Sequence, residues 1–275
     1  MIYSVSSKGS GVLAKLLNMS ITHPYEFYGD GSDLYKDVDR GRKDNEPDIN
    51  YGVRESWIPK TCLNYHAEKA FDKLKCFEIF DNLNIPHPKL IDPLTYDYCF
   101  LGRKNFKSKG EGIVKFKAKS ESYQKNKSFY DFTVEFIKGV REYRVHVFQG
   151  EVLLEVEKDF THNSHPFIRN VVNGSIARPS YIKHKNRLDA LNWSIEAVKG
   201  VGLDFAAVDL IEGEDGRLLV LECNSGPLLN GSIPYIYADY ISRRFSLEIN
   251  RYWNIGLDGK LIDHRKFLKK FVEVV

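Results

Sequence analysis

Three polar residues interrupt two apolar, strand-like segments in the C-terminal half of the chain. The segments FAAVDLI and LLVLECN contain Asp209, Glu222 and Asn224. The pair Asp215–Gly216 lies between them, and Asp-Gly is favoured at the centre of a two-residue type I′ hairpin turn. Counting outward from that turn places Asp209 directly opposite Glu222. Directly opposed residues share a face of a sheet, as do residues i and i+2 of one strand, so we predict that all three side chains project to one side.

Two carboxylates this close repel each other unless a cation or a proton lies between them. The available donors are all oxygen atoms, which suits Mg²⁺ or Mn²⁺ rather than zinc. Mg²⁺ usually takes one or two carboxylates and leaves its other positions to phosphates and water. The alternative is a solvated outer face of the sheet, where acidic side chains are ordinary. The pattern favours the metal site, and such a site requires groups that bind phosphates.

A basic, glycine-rich segment could bind a polyphosphate. The segment GRKNFKSKGEGIVKF contains three glycines together with Arg103, Lys104, Lys107 and Lys109. Flexible backbone N–H groups and basic side chains can fold over phosphates. A solvated basic hairpin has the same composition, so this segment alone does not distinguish the two interpretations.

The segment TVEFIKGVREYRVHVF is more informative. Glu135 interrupts an apolar strand, and Glu142 follows seven residues later, after Gly139. Glu142 opens an alternating strand that places Glu142, Arg144 and His146 on one face. An apolar strand that ends at a glycine can offer main-chain donors and acceptors to an adenine edge, and a carboxylate just beyond it can accept from ribose hydroxyls. His146 alone is more typical of a satisfied strand histidine than of a ligand.

The composition restricts the class of protein. The chain has 275 residues and 43% hydrophobic content, enough for one large domain or two small ones. We expect no membrane span and no signal peptide, because no long apolar run exists and the start MIYSVSSKGSG lacks the features of a leader. Four scattered cysteines suit a reducing cytoplasm. A net charge of +3 does not by itself imply nucleic acid, although the basic stretch Arg103–Lys127 leaves such binding open.

The elements that must position these residues predict an α+β fold with a mainly antiparallel sheet. A strand in MIYSV and a helix in VLAKLLN begin the chain, and five short strand-like runs lie between residues 98 and 157. One helix is predicted from Asn64 with apolar residues at Ala67, Ala70, Leu74 and Phe77, and helices are also expected at about 234–252 and 263–273. A further amphipathic helix has a predicted apolar face of Leu188, Leu191, Ile195 and Val198, and ends at Gly200 and Gly202.

An ordered set of motifs carries a family resemblance. DKLKCF, GR…GEGI, VEFIKGVREYRV, FIRN and VDLI…LECN follow one another between about Asn64 and Gly231, roughly 60% of the chain. Any one of them is a weak signal, but the five in this order resemble the ATP-grasp superfamily of carboxylate–amine ligases. The resemblance is nearest to the ribosomal-protein glutamate-ligase and glutathione-synthetase types, and especially to COOH–NH2 ligases of tailed bacteriophages.

The resemblance implies an ATP-grasp fold of antiparallel sheets with flanking helices, preceded by a short α/β domain. It implies boundaries at 1–62 and 63–275, with a nucleotide lid at about 95–140 and a metal-binding part at about 141–275. It implies ATP and Mg²⁺ (or Mn²⁺) as cofactors. By position, the implied roles are phosphate binding by Lys73 and Arg103 and, less directly, Lys158; a flap of Lys107, Ser108, Lys109, Gly110 and Gly112; an adenine hinge of Glu135, Phe136, Ile137 and Lys138; ribose binding by Glu142; catalysis by Arg144, Arg169 and Asn170; and metal ligation by Asp209, Glu222 and Asn224.

The implied reaction is ATP-dependent joining of a carboxylate to an amine through an acyl-phosphate, with release of ADP and phosphate. An ATP-grasp kinase for small molecules and a nucleotide-binding module without catalysis are the alternatives. Two departures bear on the substrate: Ala207 stands where several family ligases have an arginine, and the N-terminal domain is short. The acid, the amine and the oligomeric state stay open, although relatives are often homo-oligomers. We expect a cytoplasmic protein, in the host cytoplasm if it is encoded by a phage.

Overall fold

A computed structural model of the chain describes residues 1–4, 7–22, 46–54, 58–107, 110–159, 176–227, 229 and 233–249. Contacts between residues divide the chain into two compact units, Met1–Tyr65 with Gly226–Val275, and His66–Ser225. The domain boundaries implied above stay a prediction. The compact units differ from them because the residues after Ser225 group with the N-terminal ones.

The secondary structure combines short helices with mostly short strands. In the described part of the chain, 3₁₀ turns at Ala67–Phe71 and Lys127–Phe129 accompany the main elements. In chain order these are β1 (Ile2–Ser4), α1 (Ser7–Leu17), β2 (Ile21–Thr22), β3 (Ile49–Tyr51), α2 (Lys73–Asn82), β4 (Phe100–Arg103), β5 (Val114–Phe116), α3 (Glu121–Asn126), β6 (Phe132–Glu135), β7 (Gly139–Phe148), β8 (Glu151–Asp159), β9 (Ile176–Pro179), α4 (Arg187–Val201), β10 (Phe205–Gly213), β11 (Leu218–Asn224) and α5 (Ile233–Phe245).

The first unit is a small parallel α/β structure. Its strands lie in the order β2-β1-β3, and both neighbours of β1 run parallel to it. The sequence predicted a short α/β start, and α5 also belongs to this unit. No helix within the described part of the chain is both long and apolar enough to cross a membrane.

The second unit contains two antiparallel sheets. The larger has the order β11-β10-β7-β8-β9, and the smaller has the order β5-β4-β6. Helices α2 and α4 pack on one face of the larger sheet, where Phe77 and Ala197 join a core that includes Val145, Val208 and Leu210. The mixture of helices with mainly antiparallel sheets confirms the predicted fold class.

The hairpin of β10 and β11 has a longer loop than predicted, but it contains the predicted pairing of Asp209 with Glu222. The loop has three residues, since the Gly213 N–H donates to the Arg217 carbonyl at 2.9 Å. Gly216 closes the loop with φ +76°, a conformation that favours glycine. A β-bulge between Asp209 and Leu210 shifts the register by one residue and compensates for the longer loop. Asp209 therefore lies directly opposite Glu222, as predicted.

Two helix predictions require correction. The helix expected from Asn64 is interrupted at Asp72, whose side chain accepts from the Lys75 N–H and so caps a separate helix, α2. The apolar face expected on α4 is also displaced, because Leu188 is 70% exposed. Its buried positions are Ala190, Ser194, Ala197, Val198 and Val201, while Leu191 and Ile195 pack against the core partly buried. Gly202 ends the helix in the left-handed region, as expected, whereas Gly200 lies within the helix. The helix predicted at 263–273 lies outside the described residues.

Candidate active site

An acidic side chain surrounded by cations forms the centre of the candidate site. Asp209 lies on β10 and is 5% exposed. Arg144, on the neighbouring strand β7, donates to it through two nitrogens, Nε at 2.7 Å and Nη2 at 2.9 Å. The Lys158 ammonium of β8 lies 2.8 Å from the same carboxylate and 3.8 Å from that of Glu142. Three adjacent strands thus direct charged side chains to one face of the sheet.

Burial and the neighbouring cations shift the pKa of Asp209 in opposite directions. Burial alone would raise its pKa, because the charged form loses contact with water. The charges of Arg144 and Lys158, and the hydrogen bonds that they donate, outweigh burial and hold the pKa of Asp209 well below its usual range. Asp209 is therefore a carboxylate at any physiological pH.

Glu222 and Asn224 complete the acidic group on the same face. The Asn224 amide nitrogen lies 3.4 Å from Asp209 Oδ2 and 3.4 Å from Glu222 Oε1. Arg103, at the end of β4 in the smaller sheet, places Nη2 3.9 Å from Glu222 Oε2. These contacts are longer than ordinary hydrogen bonds of charged groups, so they leave room for a ligand to replace them. We call the six side chains of this group the site face: Glu142, Arg144, Lys158, Asp209, Glu222 and Asn224.

Arg103 is the least satisfied cation of the site. Its Nε is buried and has no hydrogen-bond partner among the described residues. Its guanidinium carbon lies 5.7 Å from the centre of the Phe132 ring. Burial lowers the pKa of Arg103, partly offset by the charge of Glu222. A buried guanidinium with an unused donor is suited to an anion such as a phosphate.

Lys73 holds the beginning of the glycine-rich flap. Its ammonium donates to the carbonyls of Asn105, at 2.9 Å, and Lys107. Asn105 is itself fixed to the N-terminus of α2, because its side chain accepts from the Leu74 N–H at 3.1 Å and donates to Asp72 at 2.9 Å. Lys73 and the beginning of the flap are therefore adjacent, and their binding of phosphates stays a prediction.

The end of the flap requires glycine. Gly110 and Gly112 have φ values of +81° and +70°. A Cβ atom at Gly112 would lie 2.7 Å from Lys104 Cγ, which is closer than side chains tolerate. The Lys104 N–H donates to the Gly112 carbonyl at 3.2 Å and closes the loop. Ser108 and Lys109 lie outside the described residues.

The predicted adenine hinge lies between β6 and β7 and borders an apolar surface. Ile137 packs with Ile211, Leu219 and Leu221 in a small buried cluster separate from the main core. Ile211 is two residues from Asp209 on β10 and opposite Leu219 on β11, so this cluster lies on the same side of the sheet as the site face. An apolar cluster beside the charged site face is compatible with the predicted binding of a nucleotide base.

Glu135 has partners within the chain. Arg217 donates Nη1 to Oε1 and Nη2 to Oε2, both at 2.9 Å, and the Lys89 N–H donates to Oε1 at 3.0 Å. Burial would raise the pKa of Glu135, but these donors lower it overall. Glu135 thus anchors the hinge segment, and its role toward a nucleotide stays a prediction. Phe136, Ile137 and Lys138 follow it directly.

His146 and Ala207 lie beside the cations. They are paired across β7 and β10, and both are fully buried. Burial, followed by the nearby charge of Arg144, lowers the pKa of His146 to about 3, so this imidazole is neutral at pH 7. At the position of the arginine that several family ligases have, the chain thus has a small side chain with His146 on one side and Asn224 on the other.

Printed side-chain contacts join one group of the predicted site residues, and the roles of these residues stay predictions: Arg103, Glu142, Arg144, Lys158, Asp209, Glu222 and Asn224. Arg169 and Asn170, like Ser108 and Lys109, lie outside the described residues. Two residues with a role in the site escaped the sequence analysis, namely Arg217 and Asn105. Arg217 is 82 residues from Glu135, and no periodic pattern links such distant partners. Asn105 could have been noticed as an amide within a basic segment.

The donor set fits Mg²⁺ or Mn²⁺. Among the described residues, no three side chains drawn from His, Cys, Asp and Glu form a metal-binding group. Of the three carboxylates on the site face, Asp209 and Glu222 are paired across the hairpin, and the amide of Asn224 beside them also carries an oxygen. Two carboxylates with space for phosphate and water suit Mg²⁺, while a closed zinc site would require nitrogen or sulfur ligands.

Comparisons with known sequences give a limited match. No family model matches the chain. A probable alpha-L-glutamate ligase of Parasynechococcus marenigrum (strain WH8102) is 36% identical over 99 residues, which cover 35% of this chain and 20% of that protein. The chain thus spans about a fifth of the length of this curated relative.

Solved ATP-grasp ligases resemble the structure over more of its length. D-alanine–D-alanine ligase from Bacillus anthracis has a TM-score of 0.58 and 15% identity, covering 89% of this chain and 95% of that one. The ATP-grasp ligase PsnB, solved with a phosphomimetic variant of its minimal precursor, Mg and ADP, has a TM-score of 0.53 and 17% identity, covering 71% of this chain and 62% of PsnB. The chain has the ATP-grasp fold.

Proposed function

We propose that the chain is an ATP-dependent ligase that joins a carboxylate to an amine. In this reaction the substrate carboxylate attacks the γ-phosphate of ATP, giving an acyl-phosphate and ADP, and the amine then displaces phosphate from the acyl carbon. The observation that carries the proposal is the pairing of Asp209 with Glu222 on one sheet face, with Arg144, Lys158 and Arg103 beside them. The ATP-grasp fold and the naming of its relatives as ligases support the same reaction.

The chain's own groups perform positioning and charge neutralisation, and no side-chain nucleophile is required. Lys73 and Arg103 bind the phosphates, with the flap above them. Arg144 and Lys158 hold the carboxylate of Asp209 in place, and Arg144, with Arg169 and Asn170, stabilises charge near the transferred group. Mg²⁺ (or Mn²⁺), held by Asp209, Glu222 and Asn224, would neutralise charge on that group when bound.

The adenine contacts in this proposal are main-chain atoms of Phe136–Lys138, and Glu142 binds the ribose. The apolar cluster of Ile137, Ile211, Leu219 and Leu221 supports a base at this place. We therefore expect ATP to be preferred over GTP. Equal affinity for ATP and GTP, or unchanged ATP binding in Glu142→Ala, would contradict this part of the proposal.

The relatives suggest the substrate class. One is named a glutamate ligase, one a D-alanine–D-alanine ligase, and one was solved with a precursor peptide. We therefore propose an amino acid or peptide as substrate, either as the acid or as the amine. An origin in a tailed phage, a cytoplasmic location and a homo-oligomeric state stay predictions from the resemblance.

Product analysis tests the proposal. Purified full-length protein is incubated with ATP, Mg²⁺ and panels of amino acids, peptides and polyamines, and the products are followed by phosphorus NMR and mass spectrometry. ADP, phosphate and an amide product are expected in equal amounts. AMP and pyrophosphate would contradict the acyl-phosphate route, and a phosphorylated product without an amide would identify a kinase. Arg169→Ala is expected to lower kcat more than it weakens ATP binding, as for a contact made mainly in the transition state.

A further inference from the structure

The tip of the β10–β11 hairpin holds the segment between β6 and β7 at several points. The Glu214 N–H donates to the Lys138 carbonyl at 2.9 Å, and the Lys138 ammonium lies 2.7 Å from the Glu214 carboxylate. A Cβ atom at Gly213 would lie 3.1 Å from Ile137 Cγ2, so the hairpin backbone packs closely on this segment. The segment is the one proposed to bind adenine.

The strongest of these contacts is the ion pair of Arg217 with Glu135. The guanidinium and the carboxylate form two parallel hydrogen bonds of 2.9 Å, the geometry in which this pair is strongest and most directional. Asp215 fixes Arg217 in turn, since it accepts from Arg217 Nε at 2.7 Å and from the Arg217 N–H at 3.0 Å. Hydrogen bonding to Glu135 raises the pKa of Arg217.

Glu135 is committed to this arrangement. Each of its carboxylate oxygens accepts from Arg217, and Oε1 also accepts from the Lys89 N–H. Its own N–H donates to the Lys89 carbonyl at 3.0 Å, so the residue is held by main chain and side chain together. Moving Glu135 toward a ligand would break a paired, largely buried charge, which is costly.

We propose that Arg217 is a positioning residue for the nucleotide base. It holds Glu135 so that the main chain of Phe136–Lys138 stays in one conformation, and it removes the Glu135 carboxylate from the groups that contact adenine. This inference rests on the proposed binding of ATP. A hinge that is already ordered loses less conformational freedom when the base binds, so affinity for ligands with a base depends on Arg217. Affinity for a polyphosphate without a base does not.

Calorimetric titration of the full-length protein with two probes separates these effects. In the presence of Mg²⁺, Arg217→Gln is expected to raise the Kd for ATP about tenfold, a typical effect of one lost charged contact. The Kd for inorganic tripolyphosphate is expected to stay within about twofold of the wild-type value. Arg217→Lys, which keeps the charge but only one hydrogen bond, is expected to lie between the wild type and Arg217→Gln.

The chain offers a matched control in Arg141. Its side chain is 42% exposed, against 41% for Arg217, and its Nη1 lies 3.3 Å from the Glu212 carboxylate across β7 and β10. Glu212 lies opposite Arg141 on the neighbouring strand. Arg141 shares a sheet face with Tyr143, which packs in the core that α2 and α4 cover, so the Arg141–Glu212 pair lies on the side of the sheet opposite the site face. Arg141→Gln removes an arginine–glutamate pair of the same exposure and is expected to leave the Kd for ATP within about twofold.

A double-mutant cycle with Glu135 adds a second test, which does not depend on Arg217→Gln alone. Glu135→Gln is expected to weaken ATP binding as Arg217→Gln does, and the double variant should be no weaker than either single one, because both remove the same ion pair. Additive losses would overturn the proposal, since they would mean that each residue acts on ATP independently.

The remaining outcomes are distinct. Equal losses for ATP and tripolyphosphate, or a lowered Tm with unchanged binding of both probes, would reduce Arg217 to a structural residue and overturn the inference. If the wild type binds ATP but forms no amide with any acid and amine, the ligase proposal fails, and the titrations still decide the role of Arg217. A wild type that binds neither probe overturns both proposals.

Discussion

The two faces of the larger sheet treat buried charge differently. On the face covered by α4, Glu155 is buried beside Val145, and Arg187 donates Nε to both of its carboxylate oxygens at 3.1 and 3.0 Å. The Ile182 N–H adds a third donor at 2.8 Å. We call this the helix face. Its buried carboxylate has short hydrogen bonds from within the chain, as a structural ion pair requires.

Glu222, on the site face, is less closely paired. Its carboxylate lies 3.9 Å from Arg103 Nη2, whereas that of Asp209 has short contacts with Arg144 and Lys158. Buried Arg103 Nε has no partner in the described residues. Glu155 shows that the fold can pair a buried carboxylate closely, so the longer contact of Glu222 and the unused Nε of Arg103 are suited to a ligand. We propose that a ligand completes their pairing, and each prediction below tests one side of this comparison.

The largest expected effect separates activity from stability. Glu222→Gln is expected to lower ligase turnover about a thousandfold, because a metal ligand is lost, while the free energy of unfolding changes by less than about 1 kcal/mol. Its side chain is 32% exposed and its partners are distant, so little structure depends on it. Glu155→Gln on the helix face is expected to do the reverse, lowering stability by about 3 kcal/mol and keeping turnover per folded molecule.

Steady-state kinetics and urea denaturation of both variants provide the measurement. The comparison of the two faces would be wrong if Glu222→Gln kept wild-type turnover, or if Glu155→Gln lost turnover while it remained folded and as stable as the wild type.

The next effect concerns metal binding without nucleotide. Arg144 and Lys158 already neutralise Asp209, so Mn²⁺ alone is expected to bind weakly to the wild type. Lys158→Met removes a cation 2.8 Å from Asp209 Oδ2 and is expected to raise the affinity for Mn²⁺ at least about tenfold. Lys183→Met is the matched control, because Lys183 lies 2.8 Å from Glu157, which shares the helix face with Tyr143. Electron paramagnetic resonance of free Mn²⁺ measures both, and equal affinities in the two variants would refute the expectation.

A smaller effect is expected on the pH dependence of stability, and it follows from the buried His146. The pKa of His146 is lowered to about 3 in the folded protein, whereas an unfolded histidine titrates near 6.5. Between these values the unfolded chain binds the additional proton, so stability is fully present above pH 6.5 and declines as the pH falls. From pH 6.5 to 4.5 the loss is expected to be about 2 kcal/mol.

Chemical denaturation across this pH range tests whether stability falls as the pH falls and whether His146 is the cause. His146→Leu should remove most of the slope, while His66→Gln, at an exposed position, should retain it. An equal slope in the wild type and in His146→Leu would show that His146 does not cause the pH dependence.

Local patterns predicted some features of the site, and long-range pairing determined the others. The partnership of Asp209 with Glu222 was predictable because a short hairpin connects them, although the loop proved one residue longer and a bulge restored the register. The alternation of β7 likewise separated Glu142 and Arg144 from Tyr143 and Val145. Both inferences use the two-residue period of a strand.

The ion pairs could not be predicted in the same way. Arg144 with Asp209 and Arg217 with Glu135 join residues 65 and 82 positions apart, and their choice of partner depends on strand order rather than on local pattern. The apolar face of α4 was wrong at Leu188 for a related reason. The buried positions of this helix include Ala190, Ser194 and Ala197, and side-chain hydrophobicity alone does not reveal that these small residues lie on its buried side.

The smallest expected effect tests whether the flap belongs to the site face. Gly112 and Gly150 both have positive φ values, +70° and +82°, so alanine strains the backbone at either position. Only at Gly112 would the added Cβ meet a neighbour, Lys104 Cγ at 2.7 Å; nothing lies within 4 Å of it at Gly150, in the β7–β8 turn. Gly112→Ala must therefore displace Lys104. The Lys104 ammonium lies 3.3 Å from Asp131, and Lys104 is next to Arg103, which faces Glu222.

We expect Gly112→Ala to raise the KM for ATP about fivefold and to keep kcat within about twofold, as for a loss of uniform binding. We expect Gly150→Ala to leave both constants unchanged and to lower stability by about 1 kcal/mol. Steady-state kinetics at varied ATP concentration measure this difference, and equal KM values in the two variants would place the flap outside the site.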